Sequence, residues 1–200
     1  MALGNPPKTQ STRKLLILKL KAKDEAGKLL VPNMFQVSEK GEDGKWAPRA
    51  ELQPRVSGNL TRVELGEGEW QGAKYGTVKL YLEDPAADEM YLLDLRYNQL
   101  SRNLFNSLVS LNSFDNLSIS NYSTKSKKDG KEYANISLWQ GDNMVKGKTD
   151  FAALPQPEVI KHPKTQAVIS RDFSEVDNFF KPQLEELSTR VSAANTKISE

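Results

Sequence analysis

The stretch that decides the fold is residues 75–140, which read YGTVKLYLEDPAADEMYLLDLRYNQLSRNLFNSLVSLNSFDNLSISNYSTKSKKDGKEYANISLWQ. Apolar and polar residues alternate over 75–82 and again over 90–97, which predicts two β-strands that each bury one face. The alternation returns over 117–126 and over 132–139, which predicts a second pair of strands. This part of the chain is therefore expected to be mainly β.

One helix is predicted between the two pairs of strands, because apolar residues recur at spacings of three and four over 100–111. Either Asn98 or Ser101 can cap its first turn. The second pair of strands meets at Asp129-Gly130, a dipeptide typical of a two-residue hairpin turn. Strand, strand, helix, strand, strand is the order at the end of an oligonucleotide-binding (OB) barrel. We therefore expect a mainly β fold, an elaborated OB-fold-like β-barrel with this mid-chain helix and a C-terminal helix.

The rest of the sequence predicts one barrel domain with additions at both ends. The predicted order is a flexible basic tail (1–12), an OB-like β-barrel domain (13–141), a Pro/Gly/Lys-rich linker (142–172), a C-terminal helical segment (173–194) and a tail (195–200).

Two details of this organisation depend on glycine and proline. The Gly-rich segment 66–72 is expected to be a loop or a bulged turn. Pro182 is expected to divide the C-terminal helical segment into a short first turn and a second helix. The apolar stripe of that segment consists of Val176, Phe180, Leu184, Leu187 and Val191.

Composition excludes several classes of function. The formal net charge is +2, which is far from that of a histone-like polycation, and the chain has no cysteine for disulfides or metal ligation. His162 is the single histidine, so a histidine-based metal cluster or catalytic triad cannot be built. Paired carboxylates lie in predicted turns or on the polar side of a helix, and no phosphate-binding glycine loop is present. We expect no enzyme activity, no catalytic residues, no metal and no cofactor.

The sequence also bears on location. No apolar run approaches the roughly 20 residues that a membrane span needs. The N-terminal residues lack the apolar core of a signal peptide. The expectation is a soluble, cytoplasmic protein without a membrane partner.

The hairpin around Asp129-Gly130 carries the functional prediction. A two-residue turn there would place Tyr122 opposite Ser137 and Trp139 opposite Ser120, with Tyr133 on the same face. The opposite face would then bury Ile119, Ala134, Ile136 and Leu138. Aromatic rings on a wet sheet face need an explanation, and stacking on nucleobases provides one worth about 1–3 kcal/mol per base. Lysines crowd the tip of the hairpin, where they could contact phosphates.

A second group of basic and aromatic residues lies at 70–81, where Tyr75, Lys79 and Tyr81 share the face opposite to Val78 and Leu80. The strands after the first form the binding sheet of an OB barrel. The predicted nucleic-acid-binding residues of both groups are Trp70, Lys74, Tyr75, Lys79, Tyr81, Tyr122, Lys125, Lys127, Lys128, Lys131, Tyr133 and Trp139.

A structural explanation exists for the same residues. A lysine-rich hairpin tip is commonly a solubilised turn, and lysines at a sheet edge discourage aggregation. Tyrosine is frequent in strands because it fits the pleated surface. Tyr122 and Trp139 could also be covered by the C-terminal helix.

Over residues 60–141 the chain resembles the OB-fold single-stranded DNA-binding proteins of bacteriophages in architecture and residue character. The resemblance implies a sequence-independent protein that coats single strands during DNA replication, recombination or repair. The sequence does not distinguish DNA from RNA. A homo-oligomer or a replication protein could dock on the C-terminal helix.

An alternative of another class is a non-catalytic, β-rich structural or protein-interaction module of a phage virion or assembly complex. In that case the exposed aromatic residues and the apolar stripe over 176–191 would be buried against other chains.

Overall fold

The computed structural model describes residues 13–19, 34–70, 73–125, 127, 130 and 132–198. The strands are β1 (Lys14–Lys19), β2 (Phe35–Lys40), β3 (Trp46–Gln53), β4 (Arg55–Trp70), β5 (Ala73–Asp84), β6 (Glu89–Arg96), β7 (Leu117–Lys125), β8 (Glu132–Gln140), β9 (Asn143–Met144), β10 (Glu158–Lys161) and β11 (Val168–Asp172). The helices are α1 (Gln99–Leu108) and α2 (Ser174–Ile198), and a single 3₁₀ turn covers Phe151–Ala153. The chain is mainly β, as predicted.

Nine strands form one mixed sheet in the order β3-β2-β1-β6-β5-β4-β7-β8-β9. β1 runs parallel to β6, and the other neighbouring strands are antiparallel. The expected closure into a barrel is not observed, because β3 and β9 lie at opposite ends of the sheet and do not pair in the part of the chain that the structure describes. The N-terminal strands extend one edge of the sheet instead.

β4 joins the two halves of the sheet. Residues 55–58 of β4 pair with β7, whereas residues 59–70 pair with β5, and the register shifts between Leu60 and Arg62. The loop expected over 66–72 is therefore wrong up to Trp70, where β4 ends. Gly68 is accommodated in the strand because the Tyr75 ring lies over it, and a Cβ at this position would lie 2.5 Å from that ring.

One face of the sheet and the two helices enclose the core. α1 packs on β8 and α2 packs on β4. The predicted apolar stripe of α2 lies in the core, because all five of its side chains are fully buried. The predicted break at Pro182 is wrong, since α2 is a single helix. Pro182 and Asn178 are both exposed, so water can bond the Asn178 carbonyl that lacks a partner.

The first turn of α1 is capped by both residues that the sequence suggested. The Asn98 side chain accepts hydrogen bonds from the backbone N–H groups of Leu100 (2.9 Å) and Ser101 (3.0 Å). The Ser101 hydroxyl in return accepts a bond from the Asn98 N–H at 3.1 Å. This reciprocal arrangement is a capping box, which satisfies donors that a helix N-terminus otherwise leaves unpaired.

The predicted linker over 142–172 contains regular structure. β9, the 3₁₀ turn and the β10–β11 hairpin all lie in it. Paired β-branched residues at 159–160 and 168–169 favour strands, and Pro163 lies in the turn between them rather than in a strand.

None of the described helices is long and apolar enough to cross a membrane.

An ion-pair network joins four strands, β1, β2, β3 and β6, on the N-terminal side of the sheet. Arg49 Nε donates to Glu39 Oε2 at 3.0 Å, and Arg49 Nη2 donates to Glu89 Oε1 at 2.7 Å. Hydrogen bonds from Lys14 and then Arg49 lower the pKa of Glu39. Burial alone would raise the pKa of Glu89, but hydrogen bonds from Arg49 and Tyr91 outweigh it and lower that pKa.

This network predicts a loss of stability in acid. Because the folded-state pKa values of Glu39 and Glu89 lie below the unfolded value of about 4.3, the stabilisation is complete above that pH and is lost as the pH falls through the folded values. Glu89→Gln is expected to lower the free energy of unfolding by about 1 kcal/mol at pH 6 and to make it depend less on pH below about pH 4.3. Urea unfolding of both proteins at several pH values from 3 to 6 measures this free energy. If it falls with pH as steeply in the variant as in the wild type, the prediction is contradicted.

Candidate nucleic-acid interface

The register of the β7–β8 hairpin differs from the predicted one by two residues. Tyr122 pairs with Asn135 and Ser118 with Trp139, rather than Tyr122 with Ser137 and Ser120 with Trp139. The described pairing runs to Lys125 and Glu132, and Asp129 of the expected Asp129-Gly130 turn lies outside the described residues. Since side chains alternate with a period of two, this even shift leaves each side chain on its predicted face.

The two faces of the hairpin have opposite character. Ile119, Ile136 and Leu138 are buried, as predicted. Ala134, which the sequence places in the core, is exposed, because it lies in the distal half of the hairpin beyond the buried Ile136. On the other face, Tyr122 is 40% and Tyr133 50% exposed, and Trp139 is half-buried.

Trp139 is held in place by its neighbours on the same face. The guanidinium carbon of Arg55 lies 5.0 Å from the centroid of the Trp139 ring, and Arg55 Nε donates to the Ser120 hydroxyl at 2.9 Å. The indole Nε1–H of Trp139 donates to the Ser137 hydroxyl at 2.9 Å. Hydroxyl groups, an aromatic ring and a cation therefore lie side by side across β4, β7 and β8.

Arg55 is the residue that sequence reasoning missed. Among the residues that the structure describes, no carboxylate forms an ion pair with Arg55, so its charge is available to an anionic ligand. The interleaving of β4 with β7 brings it to Trp139, and that contact is not visible in any local pattern. The one sequence feature that indicates a strand start at Arg55 is its position directly after Pro54, because proline is tolerated at strand starts.

The tip of the hairpin adds two cations. Lys125 and Lys127 are exposed, and neither forms an ion pair within the described ranges. Asn135 Nδ2 donates to the Thr124 hydroxyl at 2.8 Å and so ties the two strands near the tip. Two other predicted residues, Lys128 and Lys131, lie outside the described residues.

Tyr75, in the second predicted group, has its ring occupied by the chain itself. The Arg96 guanidinium lies 4.0 Å from the ring centroid of Tyr75, and Gly68 of the paired strand lies against the same ring. Arg96 therefore stacks on Tyr75. A base would have to displace these contacts to stack there.

Tyr81 and Lys79 lie among carboxylates. The Tyr81 hydroxyl donates to Glu64 Oε2 at 2.8 Å, and burial together with this bond raises the pKa of Tyr81. Lys79 pairs in the sheet with Glu64 on one side and Asp94 on the other. Arg62 pairs with Glu64, and its guanidinium carbon lies 5.1 Å from the centroid of the Tyr81 ring, so a base would have to displace this contact to stack there.

The two predicted groups are separated in space. Ser57, beside β7, and Arg62, beside Tyr81, are five residues apart on β4, which corresponds to roughly 17 Å of strand. Trp70 is the last residue of β4 and Lys74 is the second residue of β5, further along the same hairpin, and their side chains lie outside the described part of the chain. The β7–β8 hairpin therefore carries Tyr122, Lys125, Lys127, Tyr133 and Trp139, with Arg55 added, over roughly 24 Å from Ser118 (opposite Trp139) to Lys125, and the residues at 70–81 lie outside it.

Arg102, which the sequence places beside the start of α1, is fully buried. Its Nη1 donates to the Pro155 carbonyl at 2.9 Å, and the Phe151 ring covers the guanidinium at 4.9 Å. Burial lowers the pKa of Arg102. This arginine fastens the segment after β9 to α1 and does not belong to the interface.

Comparison of the chain with protein-family models, with curated proteins and with solved structures found no match.

Proposed function

We propose that this protein binds single-stranded DNA without sequence preference, and without catalysis, through the outer face of β7 and β8. The observation that supports this most is that the rings of Tyr122 (40%) and Tyr133 (50%) are exposed on one face, beside Arg55 and the half-buried Trp139. Every nucleobase has a π-face, so such rings accept any base. An open sheet can present this kind of face as well as a closed OB barrel does.

Three cations lie along the hairpin, of which Arg55 is on the aromatic face and Lys125 is on the same face of β7 as Ile119. Arg55 lies over Trp139, and Lys125 and Lys127 lie at the tip of the hairpin. Charged groups that neutralise phosphates release counterions, so binding should weaken as salt rises. A duplex hides its base faces inside the stack and should therefore bind much more weakly. The proposed role is to coat exposed strands during replication, recombination or repair, in the cytoplasm.

The competing hypothesis of an assembly module loses one of its supports. It requires the apolar stripe of α2 to be buried against other chains, yet Val176, Phe180, Leu184, Leu187 and Val191 are buried within this chain. The homo-oligomer or replication-protein contact through this helix would have to use its polar side.

The proposal is tested by the anisotropy of a labelled oligo-dT of about 20 nucleotides, longer than the sites of about 4–16 nucleotides that single OB folds occupy. Saturable binding is expected, with a loss of affinity of roughly 20-fold between 50 and 200 mM salt if three cations contact phosphates. A duplex of equal length serves as the control ligand. Absence of binding to oligo-dT at 50 mM salt, or equal affinity for the duplex, would rule the proposal out.

A further inference from the structure

The β10–β11 hairpin forms a two-stranded ribbon that does not join the large sheet. Val159 pairs with Arg171 and Ile160 with Ser170, and every residue of both strands is exposed. The four β-branched apolar side chains of the ribbon (Val159, Ile160, Val168 and Ile169) are 41–62% exposed. A ribbon with this much apolar surface in water has the character of a binding element.

The turn of this ribbon has a defined shape. The N–H of His162 donates to the Ala167 carbonyl at 2.8 Å, and the N–H of Gln166 donates to the His162 carbonyl at 2.9 Å. The His162 ring accepts bonds at Nδ1 from the N–H groups of Lys164 (3.3 Å) and Thr165 (3.2 Å). The ribbon is thus held in one conformation before it meets a partner, which lowers the entropy lost on binding.

The charge of the ribbon is one-sided. Residues 159–171 include Lys161, Lys164 and Arg171 and no acidic residue. The two acids, Glu158 and Asp172, face each other at its base, next to the body of the protein. The part beyond Glu158 and Asp172 therefore carries positive charge and no negative charge, which complements a polyanion.

We infer that the β10–β11 ribbon is an arm that enters a groove of double-stranded nucleic acid when a duplex is joined to the single strand held by β7 and β8. The major groove, about 12 Å wide, admits a two-stranded β-ribbon. Lysine and arginine would contact the phosphates, while the β-branched side chains contact the groove. The choice of nucleic acid among polyanions rests on the proposed function. The apolar residues lie along the strands and the turn is polar, which suits a groove better than a lipid surface.

The test compares two ligands, an oligo-dT and the same oligo-dT extended from a short duplex. Three phosphate contacts in a duplex would give the wild-type protein a preference for the tailed duplex that falls roughly 40-fold between 50 and 200 mM salt. The triple variant Lys161→Ala/Lys164→Ala/Arg171→Ala should bind both ligands alike and keep its affinity for oligo-dT. Because these three side chains are exposed, the variant is expected to fold.

A matched variant, Lys19→Ala/Lys40→Ala/Lys45→Ala, removes the same charge from exposed positions on the β1–β3 side of the sheet and should retain the preference. Equal affinity of the wild-type protein for the two ligands at 50 mM salt, or an undiminished preference in the ribbon variant, overturns the inference. If the wild-type protein fails to bind oligo-dT, the proposed function fails instead, since that ligand has no duplex for the ribbon.

Discussion

Replacing Phe180 with alanine is expected to lower the free energy of unfolding by about 3–5 kcal/mol. Phe180 is fully buried at the centre of the α2 stripe. Its ring lies 6.0 Å from the ring of Phe105 on α1 and 5.0 Å from that of Phe179, both edge-on. The substitution removes these contacts and leaves a cavity where α1, α2 and the sheet meet.

Urea unfolding followed by circular dichroism at 25 °C measures this change. Asn178→Ala, an exposed position on the same helix, is the control and should change the stability by less than about 0.5 kcal/mol. Phe180→Leu, which keeps part of the volume, provides a milder variant if the alanine variant does not fold. A cost below about 1 kcal/mol for Phe180→Ala would show that α2 does not pack on the sheet as described.

The second large effect concerns binding. Tyr122→Ala/Trp139→Ala is expected to weaken the binding of oligo-dT by at least about 30-fold, because two stacks of about 1–3 kcal/mol each are lost. Tyr122 is exposed, and Trp139 is half-buried on the outer face, so the core remains intact. The affinity is measured by the anisotropy titration described above.

Trp46 offers a matched control for this double variant. It is 43% exposed on β3, at the other end of the sheet, so Trp46→Ala should leave the affinity for oligo-dT unchanged. The thermal transition of each variant shows whether it is folded. If a folded Tyr122→Ala/Trp139→Ala protein binds oligo-dT as tightly as the wild type, these two residues do not form the binding site.

The elements that the sequence predicts well are those encoded by a local period. β5, β6, α1, β7, β8 and the buried stripe of α2 each follow from spacings of two or of three and four residues. The predicted β7–β8 register is wrong by two residues, yet the faces are right, because an even shift preserves them. The same rule explains why the alternating pattern suffices to place Tyr122 and Tyr133 on the outer face.

The features that the sequence does not predict depend on contacts between distant residues. The parallel pairing of β1 with β6 and the pairing of β4 with β7 have no local signal. Arg55 reaches Ser120 across 65 residues of sequence, so its place beside Trp139 appears only in the fold. β4 continues through Gly66 and Gly68 because a paired strand fixes them, which outweighs the weak strand preference of glycine.

The sequence does not distinguish covered from exposed tyrosines in the two aromatic groups. Tyr75, Tyr81 and Tyr122 follow the same alternating pattern and are equivalent in the sequence. In the fold, Arg96 covers Tyr75 and Glu64 binds the Tyr81 hydroxyl, whereas Tyr122 remains exposed. Residues on adjacent strands therefore determine which rings a base can stack on.

The most direct test of single-strand binding at the β7–β8 face uses a protein with one tryptophan. Of the three tryptophans, Trp46→Phe and Trp70→Phe leave only Trp139 to report. Titration with oligo-dT should quench the Trp139 emission until it saturates. The dissociation constant should equal the one found by anisotropy, and the quenching should be weaker at high salt and with duplex. If oligo-dT binds by anisotropy while the Trp139 emission stays constant, the strand lies elsewhere on the protein and the proposed interface is wrong.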